Sequence, residues 1–359
     1  DHRDLHLSLR RQRQMCIRDR DFVVLDNLMM FKRIALIGTT AWGTTLAIHL
    51  ANRGYEVFLG TRDEFETRIL ENSRENENRL PGIKFPENLH LIEMENAVRE
   101  VDLVCFAVPS HTLADNAKII AQGISSDTTL LSATKGLEQH SGKRMSEILR
   151  EIFPHNNIAV LSGPNLSKEV AFGNPTTTVI ASKNNILEPL QSVFHNELFR
   201  VYTSEDVIGV ELGGSLKNII AFSAGMADHF EFGNNSKAAI VTRGLAEITR
   251  LAVAAGAEAI TMQGLAGMGD VIATSYSQLS RNRTLGESIA SGKSLDDALK
   301  VSDGISESVI TVKAALVLAE KYNVDMPITR AINDILHKGK DTNKTISDLL
   351  SREPKTEVY

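Results

Sequence analysis

Ile34-Ala35-Leu36-Ile37-Gly38-Thr39-Thr40-Ala41-Trp42-Gly43 is the stretch on which the fold reading turns. Four consecutive apolar residues have the pattern of a short parallel strand buried on both faces. Gly38 ends that strand, and Trp42 to Asn52 reads as a helix with Leu46, Ala47 and Leu50 on one face. Gly38 and Gly43 stand at the first and third glycine positions of the dinucleotide turn G-x-G-x-x-G. The first glycine permits the tight turn, and the last permits close strand–helix packing. Thr40 fills the middle position, where glycine lets a pyrophosphate approach the backbone; threonine hydroxyls can themselves donate to a phosphate. The turn opens a helix whose first amides suit an anion, so the expectation is dinucleotide binding by Gly38, Thr40, Ala41, Trp42 and Gly43.

Working outward, strand-like runs recur at 55–59, 101–108, 128–132, 157–161, 176–181 and 199–202, mostly separated by helix-length segments. Strands alternating with helices predict a doubly wound parallel sheet; residues 80–89, with two prolines, read as a loop. After about Ser204 the period changes. Segments 207–230, 237–255, 286–290, 295–300, 306–322 and 328–336 all read as helices. The expected organisation is a Rossmann-like α/β domain over 29–205, an all-α domain over 206–345 and a tail over 346–359. Residues 1–28 lack periodicity and the apolar core of a secretory signal; they read as a non-native or disordered leader before a start at Met29 or Met30.

Composition narrows the class of function. The chain has 359 residues, 42 % apolar and 23 % charged, ordinary for a soluble globular protein. Lys+Arg number 39 against 45 Asp+Glu, a net charge of −6, with no basic stripe interleaved with aromatics, which argues against nucleic-acid binding. Cys16 and Cys105 are the only cysteines, and they fit a reducing, cytoplasmic setting. The histidines lack metal-ligand spacing, so no metal is expected. Stable membrane insertion is not expected either, because the most apolar stretch carries Glu211, Lys217 and several glycines.

That stretch, 207–227, sets Lys217 among apolar and small residues, with Gly213, Gly214, Ala221, Ala224 and Gly225 at three- and four-residue steps. The bare stripe leaves room for another helix or for a ligand. A desolvated lysine has a lowered pKa and serves as a proton donor near neutral pH; the alternative is a lysine snorkelling from a helix crossing. Ser280-Arg281-Asn282-Arg283 suits a phosphate oxyanion or, alternatively, an exposed basic helix cap. Asp270 after two glycines is either an N-cap or a partner for a buried cation. Lys135 and Gly163-Pro164-Asn165 follow strands at the carboxyl edge of the sheet, where ligands bind in such folds. At the end of the second strand Arg62 lies beside Asp63, which leaves NAD and NADP both open.

Together these motifs resemble the NAD(P)-dependent glycerol-3-phosphate dehydrogenases of bacterial type, over about residues 31–345. They are the glycine turn, Leu80-Pro81-Gly82, Lys135-Gly136, Ser162-Gly163-Pro164, Glu211 to Asn218, Lys237-Ala238-Ala239 with Thr242 to Leu245, Gly264 to Asp270, and Ser280-Arg281-Asn282. The resemblance implies reversible reduction of dihydroxyacetone phosphate to sn-glycerol 3-phosphate with NADH or NADPH, supplying the glycerophospholipid backbone, in a cytoplasmic homodimer. It implies Lys217 as the catalytic acid/base. It further implies Lys135, Gly163, Asn165, Asp270, Ser280, Arg281 and Asn282 around the substrate, and Lys135, Ser167, Arg281, Ile305 and Glu307 at the cofactor. Thr40, Asn165, Ser167, Asn234 and Ser308 depart from the family's usual residues. The competing readings are a related 3-hydroxy-acid or nucleotide-sugar dehydrogenase, and a non-catalytic nucleotide-binding scaffold.

Overall fold

A computed structural model describes residues 30–301, 306–353 and 356–357. The leader 1–28, with Cys16, and Ile305 lie outside the described residues. Eight strands form one sheet: β1 (Arg33–Ile37), β2 (Glu56–Thr61), β3 (Leu89–Glu93), β4 (Leu103–Phe106), β5 (Thr129–Ser132), β6 (Ile158–Ser162), β7 (Thr176–Ala181) and β8 (Phe199–Ser204), in the order 3-2-1-4-5-6-7-8. Interleaved with them run α1 (Ala41–Asn52), α2 (Glu64–Ser73), α3 (Met94–Ala97), α4 (Leu113–Ile120), α5 (Met145–Ile152), α6 (Ser167–Ala171) and α7 (Leu187–Phe194). Ile34, Leu36 and Leu131 bury one face of the sheet with Leu46 and Leu50 of α1. Ala35, Val104 and Phe106 bury the other with Leu113 and Leu149. The continuous apolar strands of the sequence are thus covered on both sides, as a Rossmann-like sheet requires.

Two features differ from the sequence expectation. The strand β3 begins within the segment read as a loop. Only alternate residues are apolar and buried in Leu89-His90-Leu91, the pattern of an edge strand, and the preceding prolines obscured it. The sheet is also mixed rather than wholly parallel, because β7 runs antiparallel to β6, with Val160 opposite Ala181 and Ser162 opposite Val179. The linking segment holds only the five-residue α6, too little to carry the chain back along the sheet for a parallel crossover. The amino end of β7 therefore lies beside the carboxyl end of β6.

From Asp206 onward the described chain is helical: α8 (Val207–His229), α9 (Gly233–Ala254), α10 (Ala259–Met262), a π turn (Leu265–Gly269), α11 (Asp270–Tyr276), α12 (Arg281–Ala290), α13 (Leu295–Val301), α14 (Glu307–Lys321), α15 (Pro327–Lys338) and α16 (Thr342–Leu350). Asp206 starts α8 by accepting from the Gly209 amide at 2.8 Å. By length and composition α8 passes for a membrane span, yet 83 % of its apolar window is buried inside this fold. Its small residues are packing sites. A Cβ at Gly213 would stand 2.6 Å from the Ala266 carbonyl, and one at Gly225 would stand 1.9 Å from the Arg283 carbonyl. Each helix glycine costs up to about 1 kcal/mol in propensity, which close backbone packing offsets here. Its charge Glu211 is buried and accepts from Arg144 at 2.6 Å and the Ser146 amide at 2.8 Å, fastening the first turn of α5 to the central helix.

Candidate active site between the sheet and the central helix

Gly38 has φ +112°, and a Cβ there would meet the Ala107 carbonyl at 2.7 Å; a Cβ at Gly43 would meet the Gly38 carbonyl at 2.0 Å. Both positions admit glycine alone. Thr40 has the ordinary φ of −66° and caps α1: its hydroxyl accepts from the Gly43 amide at 3.0 Å and donates to the Ala107 carbonyl at 2.6 Å. That donor is spent inside the protein rather than offered to a phosphate. Ala41 and Trp42 open the helix in the place where an anion meets unsatisfied amides. The indole Nε1 of Trp42 is buried without a partner, a polar atom suited to a bound group. The loop thus fits a dinucleotide.

The end of β2 is joined to this loop through Glu66, whose carboxylate accepts from the Thr39 hydroxyl at 2.7 Å and the Arg62 amide at 2.9 Å. The Arg62 side chain is 77 % exposed and, among the described residues, reaches only Glu66, at 3.5 Å. Asp63 caps α2. Ser167 begins α6, and its carbonyl accepts from Thr45 of α1 at 3.2 Å, which sets it beside the nucleotide helix.

Where the sheet meets the helices, Asp270, 2 % exposed, opens α11 and holds two lysines. Its Oδ1 accepts from Lys217 at 2.9 Å and its Oδ2 from Lys135 at 2.5 Å. Lys217 also donates to Thr274 at 2.5 Å, one turn along α11, and Lys135 donates to the Gly163 carbonyl at 2.8 Å. Of the two sequence readings, Asp270 is the partner of buried cations. Lys217 is not a snorkelling lysine, being 7 % exposed. Burial draws its pKa down from 10.5 to about 8, Asp270 opposing the fall and Lys135 adding to it. Burial works to raise the Asp270 carboxyl, but the two ammonium groups hold it below its ordinary range. Two lysines around one carboxylate leave a buried excess of positive charge, which favours an anion or a developing alkoxide.

The surrounding elements fix this cluster. The Ser215 hydroxyl of α8 accepts from the Gly136 amide and donates to its carbonyl, both at 3.0 Å, holding the Lys135 loop against the helix that carries Lys217. Asn165 is tied to β7, donating to the Thr177 carbonyl at 2.9 Å and accepting from Thr178 at 3.0 Å. Ser280 caps α12, so Arg281 and Asn282 lie in its first turn rather than in a loop. Asn282 donates to Asn218, next to Lys217, at 2.9 Å and accepts from the Ser306 hydroxyl and, at 3.0 Å, from the Ser308 amide. The exposed Arg281 acts electrostatically on Glu307. Glu307 accepts from the Ser110 amide and hydroxyl at 3.1 and 2.7 Å, and burial pushes its carboxyl up.

The structure therefore joins Gly163, Lys135, Asp270 and Lys217 in one chain of contacts, with Asn165 bordering Gly163 and Asn282 bonded to Asn218, the residue after Lys217, while Arg62 stays apart at the end of β2. Sequence reasoning gave no role to Thr274 or Ser110. The first had a signal, since it follows Asp270 by one helical turn. The second had only its place after a strand end.

A Rossmann-like sheet with a glycine turn, joined to a helical domain that buries a lysine–carboxylate cluster, defines the class of nicotinamide-nucleotide oxidoreductases. Family models described as the NAD-dependent glycerol-3-phosphate dehydrogenase N-terminus and C-terminus match residues 33–187 and 206–347. The chain belongs to that family. A relative from Chlorobium phaeobacteroides, glycerol-3-phosphate dehydrogenase (NAD(P)+), is 44 % identical over 333 residues, covering 91 % of this chain and 100 % of the relative. One of the same name from Fusobacterium nucleatum is 40 % identical over 330 residues, covering 91 % and 98 %. The crystal structure of glycerol-3-phosphate dehydrogenase from Coxiella burnetii is similar with a TM-score of 0.87 and 33 % identity, over 90 % of this chain and all of that one.

Proposed function

We propose that this oxidoreductase interconverts dihydroxyacetone phosphate and sn-glycerol 3-phosphate with NADH or NADPH, and that Lys217 is its acid/base. The observation that carries the reading is the buried Lys217–Asp270–Lys135 cluster beside the carboxyl ends of β5 and β6. The bound nicotinamide supplies or accepts the hydride at C2. In the reducing direction Lys217 donates its proton to the C2 oxygen, and the positive excess of the cluster stabilises the charge that develops there. Asp270 orients the ammonium and keeps its pKa from falling further. Lys135 faces the same carboxylate from the sheet and adds a second cation toward the substrate. Arg281, with Ser280 and Asn282 in the capped first turn of α12, holds the phosphate, so that binding energy far from C2 fixes geometry at C2.

Gly38, Thr40, Ala41, Trp42 and Gly43 would hold the cofactor, together with Arg62, Lys135, Ser167, Arg281 and Glu307. Oxidation of NADH and NADPH by dihydroxyacetone phosphate, side by side in wild type and Lys217→Met, tests the reading. Turnover that survives the substitution would overturn the role of Lys217. The product's use as the glycerophospholipid backbone and a reducing cytoplasmic setting are both in keeping with the family. A homodimer is supported by an exposed apolar stripe, Met268, Ile272 and Tyr276, at helical spacing. Sedimentation at micromolar concentration decides the subunit number.

A further inference from the structure

At the far end of α8 lies a second charged cluster that the reaction does not use. Asp228, three turns beyond Lys217 on the same helix, accepts from Arg283 Nε at 2.6 Å and from Lys237 Nζ at 2.9 and 2.8 Å. Lys237 belongs to α9, and its ammonium stands 4.6 Å from the centre of the Tyr276 ring at the end of α11. Arg283 belongs to the first turn of α12, two residues after Arg281, and also pairs with Glu287 at 2.7 Å. One carboxylate thus gathers four helices. Among them are the helix of Lys217, the helix of Asp270 and Thr274, and the helix that begins with Arg281 and Asn282.

The Lys237 and Arg283 side chains are only 10 % and 13 % exposed, so their charges are held by Asp228 and not by solvent. Backbone packing leaves α12 little freedom along α8, since a Cβ at Gly286 would meet the Phe222 carbonyl at 2.1 Å, and Gly225 lies against Arg283. The first turn of α12 is also tied to α8 through its side chains. Arg283 donates through Nε to Asp228, and Asn282 donates to Asn218. Arg281 directly precedes Asn282 and Arg283 in the same turn.

We infer that Asp228, with Arg283 and Lys237, is a positioning element for the substrate phosphate, setting where the first turn of α12 presents Arg281 relative to Lys217. The inference rests on the reading of Arg281 as the phosphate ligand. A misplacement of about 1 Å costs up to about 100-fold in such a site. Asp228→Asn should therefore raise the KM for dihydroxyacetone phosphate about tenfold or more. At saturating NADH its kcat/KM for dihydroxyacetone, which lacks the phosphate, should stay within about twofold of wild type. Should Asp228→Asn fail to fold, Arg283→Lys keeps the charge and loses the guanidinium that joins Asp228 to Glu287, and the same comparison applies. Asp228→Glu, which can still hold both cations, should recover most of the loss.

Equal losses with both substrates, or no loss with either, would mean that the cluster only stabilises the fold, and the inference falls. Arg281→Ala is the control. If it separates the two substrates while Asp228→Asn does not, the inference alone fails. If Arg281→Ala does not separate them, the phosphate reading fails and the inference with it.

Discussion

Lys135 and Lys217 hold one carboxylate between them, Lys135 at 2.5 Å from Asp270 Oδ2 and Lys217 at 2.9 Å from Oδ1. The first comes from a sheet loop and the second from the central helix, so the ion cluster bridges the two halves of the molecule. Lys217 accordingly feels both an attractive and a repulsive charge.

The first expected outcome is in the pH profile. A proton donor with a pKa of about 8 makes kcat for ketone reduction fall as pH rises through about 8, while alcohol oxidation gains over the same range. Lys135→Met removes a charge that lowers the Lys217 pKa, so the break should move to higher pH. A break that stays in place or moves down would show that Lys135 does not act on Lys217.

Lys217→Met keeps the stem and deletes the acid. General acid–base catalysis contributes about 10²–10⁴-fold, and kcat should fall by that order while NADH still binds, measured by its fluorescence. Stability gives a second reading. The folded pKa of Lys217, about 8, lies below its ordinary value of 10.5, so between these pH values the unfolded chain binds more protons. Wild-type stability relative to the variant should rise with pH across that window, by up to about 1.4 kcal/mol per pH unit. A flat difference in urea unfolding from pH 8 to 10 would contradict the lowered pKa.

Thr40 caps α1 and bonds to Ala107 across to the end of β4. Thr40→Gly restores the usual glycine spacing and removes both bonds, and it should cost about 1 kcal/mol or more of stability. Thr40→Ser should keep most of it. An unchanged melting temperature in Thr40→Gly would show that the hydroxyl does no structural work.

Arg62 is exposed and loosely held by Glu66, free to turn toward a 2′-phosphate. Arg62→Ala should raise the KM for NADPH more than that for NADH. Equal changes for the two cofactors would leave Arg62 as a solvated loop residue.

The sequence made the Rossmann-like sheet legible because strands buried on both faces write themselves as apolar runs. The strand β3 was illegible because an edge strand needs only alternate apolar residues. The reversal of β7 lay in the shortness of a connection, not in the composition of any strand. Lys217 was conspicuous as a charge in an apolar helix, and Asp270 as an acid after two glycines. That they meet, and that Lys135 joins them from 135 residues before Asp270, depends on how α11 docks against α8 and α8 against β6. No local pattern encodes that docking. The same holds for Asn282, whose amide is occupied by Asn218, Ser306 and Ser308.

The central helix α8 also bears on how the protein is made. It is the most apolar segment of the chain; β6 covers part of it, but most of its cover comes from α9, α11, α12 and α14, all of which follow it in sequence. During synthesis α8 leaves the ribosome before the helices that will enclose it exist, and its greasy surface stays bare until roughly another ninety residues have been added. A chain cut short within the second half keeps that surface exposed and is expected to aggregate rather than yield a free nucleotide-binding domain.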